Sequence, residues 1–519
     1  MRNIRVTVTV IALAGCTSIS KNPADSGGAA STPTGSSPAT GTPTGTTPAG
    51  TTPTGTTPTG TTPTASPPTD TLDTGAPDTA STDTGTAPLE PCSSDPTWTV
   101  GLLQWSEEAS DGYTLFAPDN TGTTYLIDRC GREVHRWERA LSPGKSVRLT
   151  DDGHLLRTEE LGSPVFTGGG GGGRMVLLDW DGTELWRVAH SDETMHQHHD
   201  ALVLPSGNVL FLAWELRDEA ESLAAGRDPA LLWFGELWPD TLVEVDPATG
   251  DIVWRWAVWD HLVQSRDPAA ENFGVIADHP GRVDINRAPH GTPDWTHANS
   301  LDYSPELDQV VVSIHGLGEV WVIDHDTTTE AAAGPAGDLL YRWGNPEIYG
   351  APGRRRLYGQ HHATWISDPL PGAGDLLVFN NGEGRPEGAF SSVDQLTAPI
   401  QPDGSYLRGP DGWGPDALTW TWSDPERFAF SMSSAQRLSS GNTFVCDANR
   451  GTILEVTDDG RVVWTYINPL VDGEPLTQGD PVPEGGRAWR NTLFRAVKIP
   501  RDHPGLVGRD LTPGETLER

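Results

Sequence analysis

A four-strand unit that recurs five times between Ser146 and Tyr466 constrains this chain more than any other feature. Its first half is a hairpin: SVRLTDDGHLLR from Ser146, ALVLPSGNVLFL from Ala201, AQRLSSGNTFV from Ala435. Its second half is an apolar strand, a turn rich in Asp and Gly, and a strand ending in Trp. Examples are RMVLLDWDGTELW from Arg174, TLVEVDPATGDIVWRW from Thr241 and TILEVTDDGRVVWTY from Thr452. Apolar alternation broken by Asp-Gly and Ser-Gly pairs is the pattern of hairpins, and its repetition at long period is that of a ring of small sheets. A sixth unit assembles from both ends, TLFRAVKIP from Thr492 and GYTLFAPDNTGTTYLID from Gly112. Sharing one unit between the termini removes the free sheet edges of an open ring. The expectation is an all-β, six-bladed β-propeller over residues 91–519, with the Trp of each unit packed between blades.

The residues before it have a different character. From 17 to 90 the chain is almost entirely Thr, Pro, Gly, Ala and Ser, with the run GTTPTGTTPTGTTPT. Nothing there is apolar enough to offset the entropy of ordering a backbone, so a disordered tether is expected. Residues 1–16 pair Arg2 and Arg5 with an apolar stretch too short to span a bilayer, ending in Leu13-Ala14-Gly15-Cys16. That tetrapeptide matches the bacterial lipobox, which implies a signal peptide, lipidation of Cys16 and a lipid anchor rather than a membrane span. Thr17 after the Cys implies sorting to the outer membrane, facing the periplasm or the cell surface. In an exported chain Cys92 and Cys130 are the more plausible disulfide pair, and Cys446 is left over. The net charge of -36 argues against nucleic acid as a partner.

Chemistry gathers where the units begin. The first strand of each propeller blade lines the central channel, so residues just before it meet around the axis. Three consecutive units open with histidine: Met195-His196-Gln197-His198-His199-Asp200, then Asp294-Trp295-Thr296-His297-Ala298-Asn299-Ser300, then Tyr358-Gly359-Gln360-His361-His362-Ala363. His315 follows the hairpin of the middle unit, and Arg437 stands in the unit that opens without histidine. Adjacent strand residues face opposite sides, which leaves open whether His361 or His362 points into the channel.

At these residues the sequence resembles the bacterial arylsulfate sulfotransferase family. DWTHANSLDY, GQHHATW with VFNNG, and SAQRLSSGNTF carry the resemblance, which runs from about Met195 to Pro469. The resemblance implies a nucleotide-independent enzyme that moves a sulfuryl group from a phenolic sulfate ester to a phenolic acceptor, with no metal and no cofactor. It implies that His361 is the sulfated nucleophile, supported by His297, Asn299 and His199, with His198 and His362 as adjacent substrate-binding candidates. The family places an Arg where this chain has His315. Since imidazolium requires protonation and guanidinium does not, that change implies greater sensitivity to pH, with Arg437 as a substitute cation. The residue types suit the reaction on their own terms. A neutral imidazole is a competent nucleophile near neutrality, and a loose sulfuryl-transfer transition state needs cations and donors around its equatorial oxygens.

Two other readings use the same residues. Clustered histidines beside Gln360, Asp200 and Asn299 also suit a metal-dependent propeller lyase or hydrolase. A non-catalytic propeller that binds a ligand at the surface is the third. VDPATGDIVWRW is similar to blades of pyrroloquinoline-quinone dehydrogenases, but those rings have eight blades and six are expected here. The six glycines Gly168 to Gly173 read as a flexible loop, Arg354-Arg355-Arg356 as a solvated one, and Asn380 and Asn381 as turn residues.

Overall fold

The computed structural model describes residues 91–287 and 291–519. The signal peptide, Cys16 and the tether lie outside the described residues. Among the described residues no helix is long and apolar enough to cross a membrane.

Six antiparallel sheets form the six expected blades. Blade one runs from Pro143–Leu149 outward to Glu184–Ala189, and blade two from Met195–Val203 to Ile252–Ala257. Blade three runs from Ala298–Ser304 to Tyr341–Trp343, blade four from His361–Trp365 to Trp420–Ser423, and blade five from Ser434–Arg437 to Val462–Ile467. Blade six takes its inner strand, Leu493–Ile499, from the end of the described chain and its three outer strands from Tyr113–Pro118, Thr123–Asp128 and Glu133–Glu138. Leu115 pairs with Val497 across this closure. One feature exceeds the expectation. Gly101–Trp105 adds a fifth strand to the outer edge of blade five, pairing with Val462–Ile467, so the N-terminal segment bridges two blades. The Cys92–Cys130 disulfide ties that segment to blade six, while Cys446 is a buried free thiol.

The hairpin turns follow from local chemistry. Gly182 in the Trp-Asp-Gly-Thr turn has φ of 82° and Gly460 in the Asp-Asp-Gly-Arg turn has φ of 88°, a left-handed backbone that only glycine enters freely. The repeated Trp does what its position suggests. Outer-strand Trp137, Trp256, Trp343, Trp420 and Trp464 each donate an indole N–H to a backbone carbonyl of the following blade: Asp179, Gly337, Pro415, Asp458 and Arg129. Burying an indole contributes a few kcal/mol, and its one polar atom is satisfied by the neighbour, so the residue sets the spacing between blades.

Candidate functional site

The inner strands all start at one end of the channel, and the histidines collect there. Their ring centroids form a chain: His199 to His297 4.8 Å, His297 to His315 5.1 Å, His315 to His361 5.3 Å. Phe494 on the inner strand of blade six closes the circle, 5.9 Å from His199 and 6.5 Å from His361. Thus four of the sequence-selected histidines, from blades two, three and four, meet in one cluster.

The backbone that presents them is unusual. Blades two, three and four each skip inner-strand residues in pairing: Ala201 and His198 face Phe211 and Leu212, Ala298 and Ser300 face Ile314 and Ser313, His361 and Ala363 face Phe379 and Val378. His199, His297 and His362 have φ of 51°, 50° and 50° at or beside these bulges. A left-handed non-glycine residue costs on the order of 1–3 kcal/mol and persists only where the surroundings enforce it. Bulges re-aim side chains, and here they separate His361 from His362.

His361 is buried, and three contacts define its tautomer. Its Nδ1 lies 2.8 Å from Asn381 Oδ1 and 3.2 Å from the Gly359 carbonyl, while its Nε2 accepts the Met432 backbone N–H at 3.1 Å. The Asn381 amide is itself oriented, because its nitrogen donates to the carbonyls of Ala429 and Met432. The proton therefore sits on Nδ1 and the lone pair on Nε2. Burial lowers the pKa of this imidazole to about 3, so it is neutral at physiological pH.

His297 has the opposite character. Burial opposes its charge, but Asp294, with Oδ2 2.5 Å from Nδ1, overcomes that and raises its pKa above the usual value. Asp294 is held from behind by the Trp214 indole N–H at 3.1 Å. His199 and His315 are driven well below the usual range, first by burial and then by the charge on His297. One imidazole held toward its cationic form among others held toward the neutral form is the outcome. His315, where the resemblance implies an Arg, is held toward the neutral form and does not supply that charge. Lys145, with φ of 91° at the start of the inner strand of blade one, is close enough to depress His199 further and pairs with Asp119 at 3.1 Å.

The remaining sequence-selected residues take other places. Asn299 donates its amide to the Gln360 carbonyl at 2.9 Å, so it positions the peptide leading into His361; its Oδ1 is buried without a partner. His198 stacks on Trp214 with centroids 4.1 Å apart, holds His199 through an Nδ1–Nδ1 contact of 2.8 Å, and has Nε2 3.0 Å from Asp240 without the alignment of a hydrogen bond. His362 and Arg437 line a separate cavity beyond the cluster. Asp294 and Lys145 had no role assigned from sequence, and Asn381, read there as a turn residue, instead orients His361. Asp294 and Asn381 did stand inside the quoted blocks, at i−3 to His297 and at the end of the strand after His361; Lys145 carried no signal.

The glycine run is also different from its sequence reading. It packs onto the cluster: the His199 N–H donates to the Gly170 carbonyl at 2.8 Å, and a Cβ on Gly170 would fall 2.0 Å from His199 Nε2. A Cβ on Gly168 would lie 2.9 Å from Asp294 Oδ2. Gly170→Ala is expected to lower both the transfer activity that the resemblance implies and the unfolding midpoint, at about 1–3 kcal/mol for the overlap, with about 1 kcal/mol more for the left-handed backbone (φ +85°). Gly169→Ala, where nothing lies within 4 Å, is the matched control and is expected to change neither. Equal behaviour of the two variants in a melt and a turnover assay would contradict this packing.

Among the described residues no three His, Cys, Asp or Glu side chains converge as metal ligands. The arrangement holds a neutral imidazole whose Nε2 lone pair accepts only a backbone N–H, and an imidazole held toward its cationic form, with a ring held toward neutrality on either side of it. These are the parts of a nucleophilic displacement at an anionic centre.

No curated protein matches the chain. Among solved structures, a protein of unknown function from Bacteroides caccae is 13% identical with a TM-score of 0.40, covering 75% of this chain and 99% of its own. Virginiamycin B lyase from Staphylococcus aureus is 9% identical with a TM-score of 0.34, covering 71% and 88%. AztD from Citrobacter koseri is 8% identical with a TM-score of 0.33, covering 75% and 98%. Likeness this weak carries no argument about activity. The family of arylsulfotransferases (ASST) matches residues 102–400, more than half of the 519, and that span contains every ring of the histidine cluster. The chain belongs to the arylsulfotransferase (ASST) family.

Proposed function

We propose that the protein moves a sulfuryl group from a phenolic sulfate ester to a phenolic acceptor through a sulfated His361. Family membership supports sulfuryl transfer in general. The observation that carries the finer reading is the tautomer of His361, neutral and protonated on Nδ1 against Asn381. The Nε2 lone pair attacks the ester sulfur, the sulfur–oxygen bond breaks, and the electron pair leaves with the phenolate. The Met432 N–H gives up Nε2 as the sulfur arrives and then serves as a donor to an equatorial oxygen. The His297 imidazolium offsets charge on the sulfuryl group or protonates the leaving oxygen. In the second half the acceptor phenol, relieved of its proton by a neutral neighbouring imidazole, attacks sulfur and the pair returns to Nε2.

The test is turnover of a chromogenic aryl sulfate with phenol present and a chelator added, followed by mass analysis after donor alone. The expected result is undiminished turnover and a gain of one SO₃ group on the peptide that contains His361. Turnover abolished by chelation would instead support the metal-dependent lyase or hydrolase, and absence of turnover over a range of donors would support the binding propeller. We further propose that the enzyme is held by a lipid on Cys16 in the outer membrane, facing the periplasm or the cell surface. Incorporation of labelled palmitate, lost in Cys16→Ser, checks this.

A further inference from the structure

The backbone device that presents the histidines does not stop at blades two, three and four. Of the eight non-glycine residues with φ above zero among those described, six stand at or near the start of an inner strand. They are Lys145 in blade one, His199, His297 and His362 in blades two to four, and Met432 with Ser433 in blade five. The other two, Asp308 and Asp472, lie in turns. Blade one has the bulge as well. Pro143 faces Glu159 and Val147 faces Arg157, so Gly144, Lys145 and Ser146 stand opposite Thr158 alone. Strain of this kind persists where the surroundings enforce it and gathers at functional sites, and a bulge re-aims the side chain it carries. Lys145 is therefore presented at the same end of the channel by the same means as His199 and His297.

Ring order then gives Lys145 a particular place. The inner strand of blade one touches those of blades six and two, so blade one stands opposite blade four, which carries His361. The Lys145 side chain is 18% exposed, and its Nζ lies 3.1 Å from Asp119 Oδ1. Asp119 follows the strand Tyr113–Pro118 of blade six, and its N–H donates to the Thr492 carbonyl at 3.2 Å, two residues before Phe494 of the cluster. An ammonium has three N–H donors, and Asp119 is the one acceptor it meets among the described residues, so two donors are left. Pairing with Asp119 makes Lys145 a weak lure for a ground-state anion but leaves it an oriented donor. Such a donor gains most from charge that develops only as a bond breaks. Its own charge is felt in the cluster, where it adds to burial and to the neighbouring rings in lowering the His199 imidazole.

We propose that Lys145 holds the phenolic oxygen that leaves sulfur, an inference that rests on the reading of His361 as nucleophile. Sulfuryl transfer, like phosphoryl transfer, runs in line, so the leaving oxygen departs on the side opposite Nε2. As the bond from sulfur to that oxygen breaks, the electron pair stays on the oxygen. Lys145 Nζ donates a hydrogen bond to it and keeps its proton. In the second half the acceptor oxygen enters along the same line and meets the same donor. His297 is left to the equatorial oxygens of the sulfuryl group.

Single-turnover release of phenol by the full chain tests this, with donors running from phenyl sulfate to 4-nitrophenyl sulfate. An unsubstituted phenolate depends most on the donor, because no ring substituent spreads its charge. Lys145→Gln is expected to slow release about a hundredfold with phenyl sulfate and about tenfold or less with 4-nitrophenyl sulfate. Lys145→Arg, which restores the charge and the donors, is expected to recover most of that loss. Unfolding midpoints establish that each variant is folded. A merely structural role would slow all donors by one factor. An equal loss across the series, or none, in Lys145→Gln overturns the proposal while the wild type still gains SO₃ on His361. Absence of release by the wild type overturns the reading of His361 and this inference with it.

Discussion

Replacing His361 by alanine is expected to lower aryl-sulfate turnover by roughly ten-thousand-fold or more, the scale on which loss of a covalent nucleophile is felt. The reason is local. His361 supplies the only buried imidazole of the cluster whose Nδ1 is tied to an oriented amide oxygen and whose Nε2 is unprotonated. Asn381→Ala tests the same point from behind, since it removes the acceptor that fixes the tautomer; a loss of roughly a hundred-fold in kcat with little change in KM is expected. Stability should hardly move in the His361 variant if its role is chemical, so turnover and unfolding midpoint are measured together. Retention of more than a few per cent of activity by His361→Ala would remove it as the nucleophile and shift attention to His199 or His315.

Asp294→Asn is expected to cost roughly a hundred- to a thousand-fold in kcat at neutral pH, the scale of removing one charge that stabilises a transition state. In the wild type the carboxylate raises the pKa of His297 against the cost of burial. His297 thus contributes its charge below its raised pKa and loses it as pH rises through that value. The amide of the variant keeps a contact to Nδ1 but not the charge, so the descending limb of the kcat profile should move to lower pH. The ascending limb belongs to His361 and should stay near pH 3, where that ring acquires a proton. Stability follows the same sign: a group with a raised folded pKa contributes fully below its unfolded value and less as pH climbs through the folded one. The pair of Asp294 and His297 should therefore stabilise the wild type most below about pH 6.5. A pH profile unchanged by Asp294→Asn would show that His297 acts neutral and that the cation must be sought elsewhere, with Lys145 first.

How much of this the sequence determined can be read residue by residue. Strands, turns and blade number were legible because each rests on local pattern: alternation, Asp-Gly and Ser-Gly turns, and a Trp at fixed phase. Closure by Leu493–Ile499 against Tyr113–Pro118 was legible because only that pairing completes the sixth unit. Convergence of His199, His297, His315 and His361 followed from ring geometry, which brings equivalent positions of successive blades to one axis. The tertiary structure decided the rest. At a one-residue bulge His361 joins the cluster while His362 lines a separate cavity, and bulges depend on pairing that no local pattern records. The glycine run became a wall of the site because its backbone, free of side chains, approaches His199 from another blade. The protonation of the cluster was decided last of all: four identical side chains have pKa values pushed in opposite directions because Asp294 lies beside His297 while burial acts on the others without a carboxylate to oppose it.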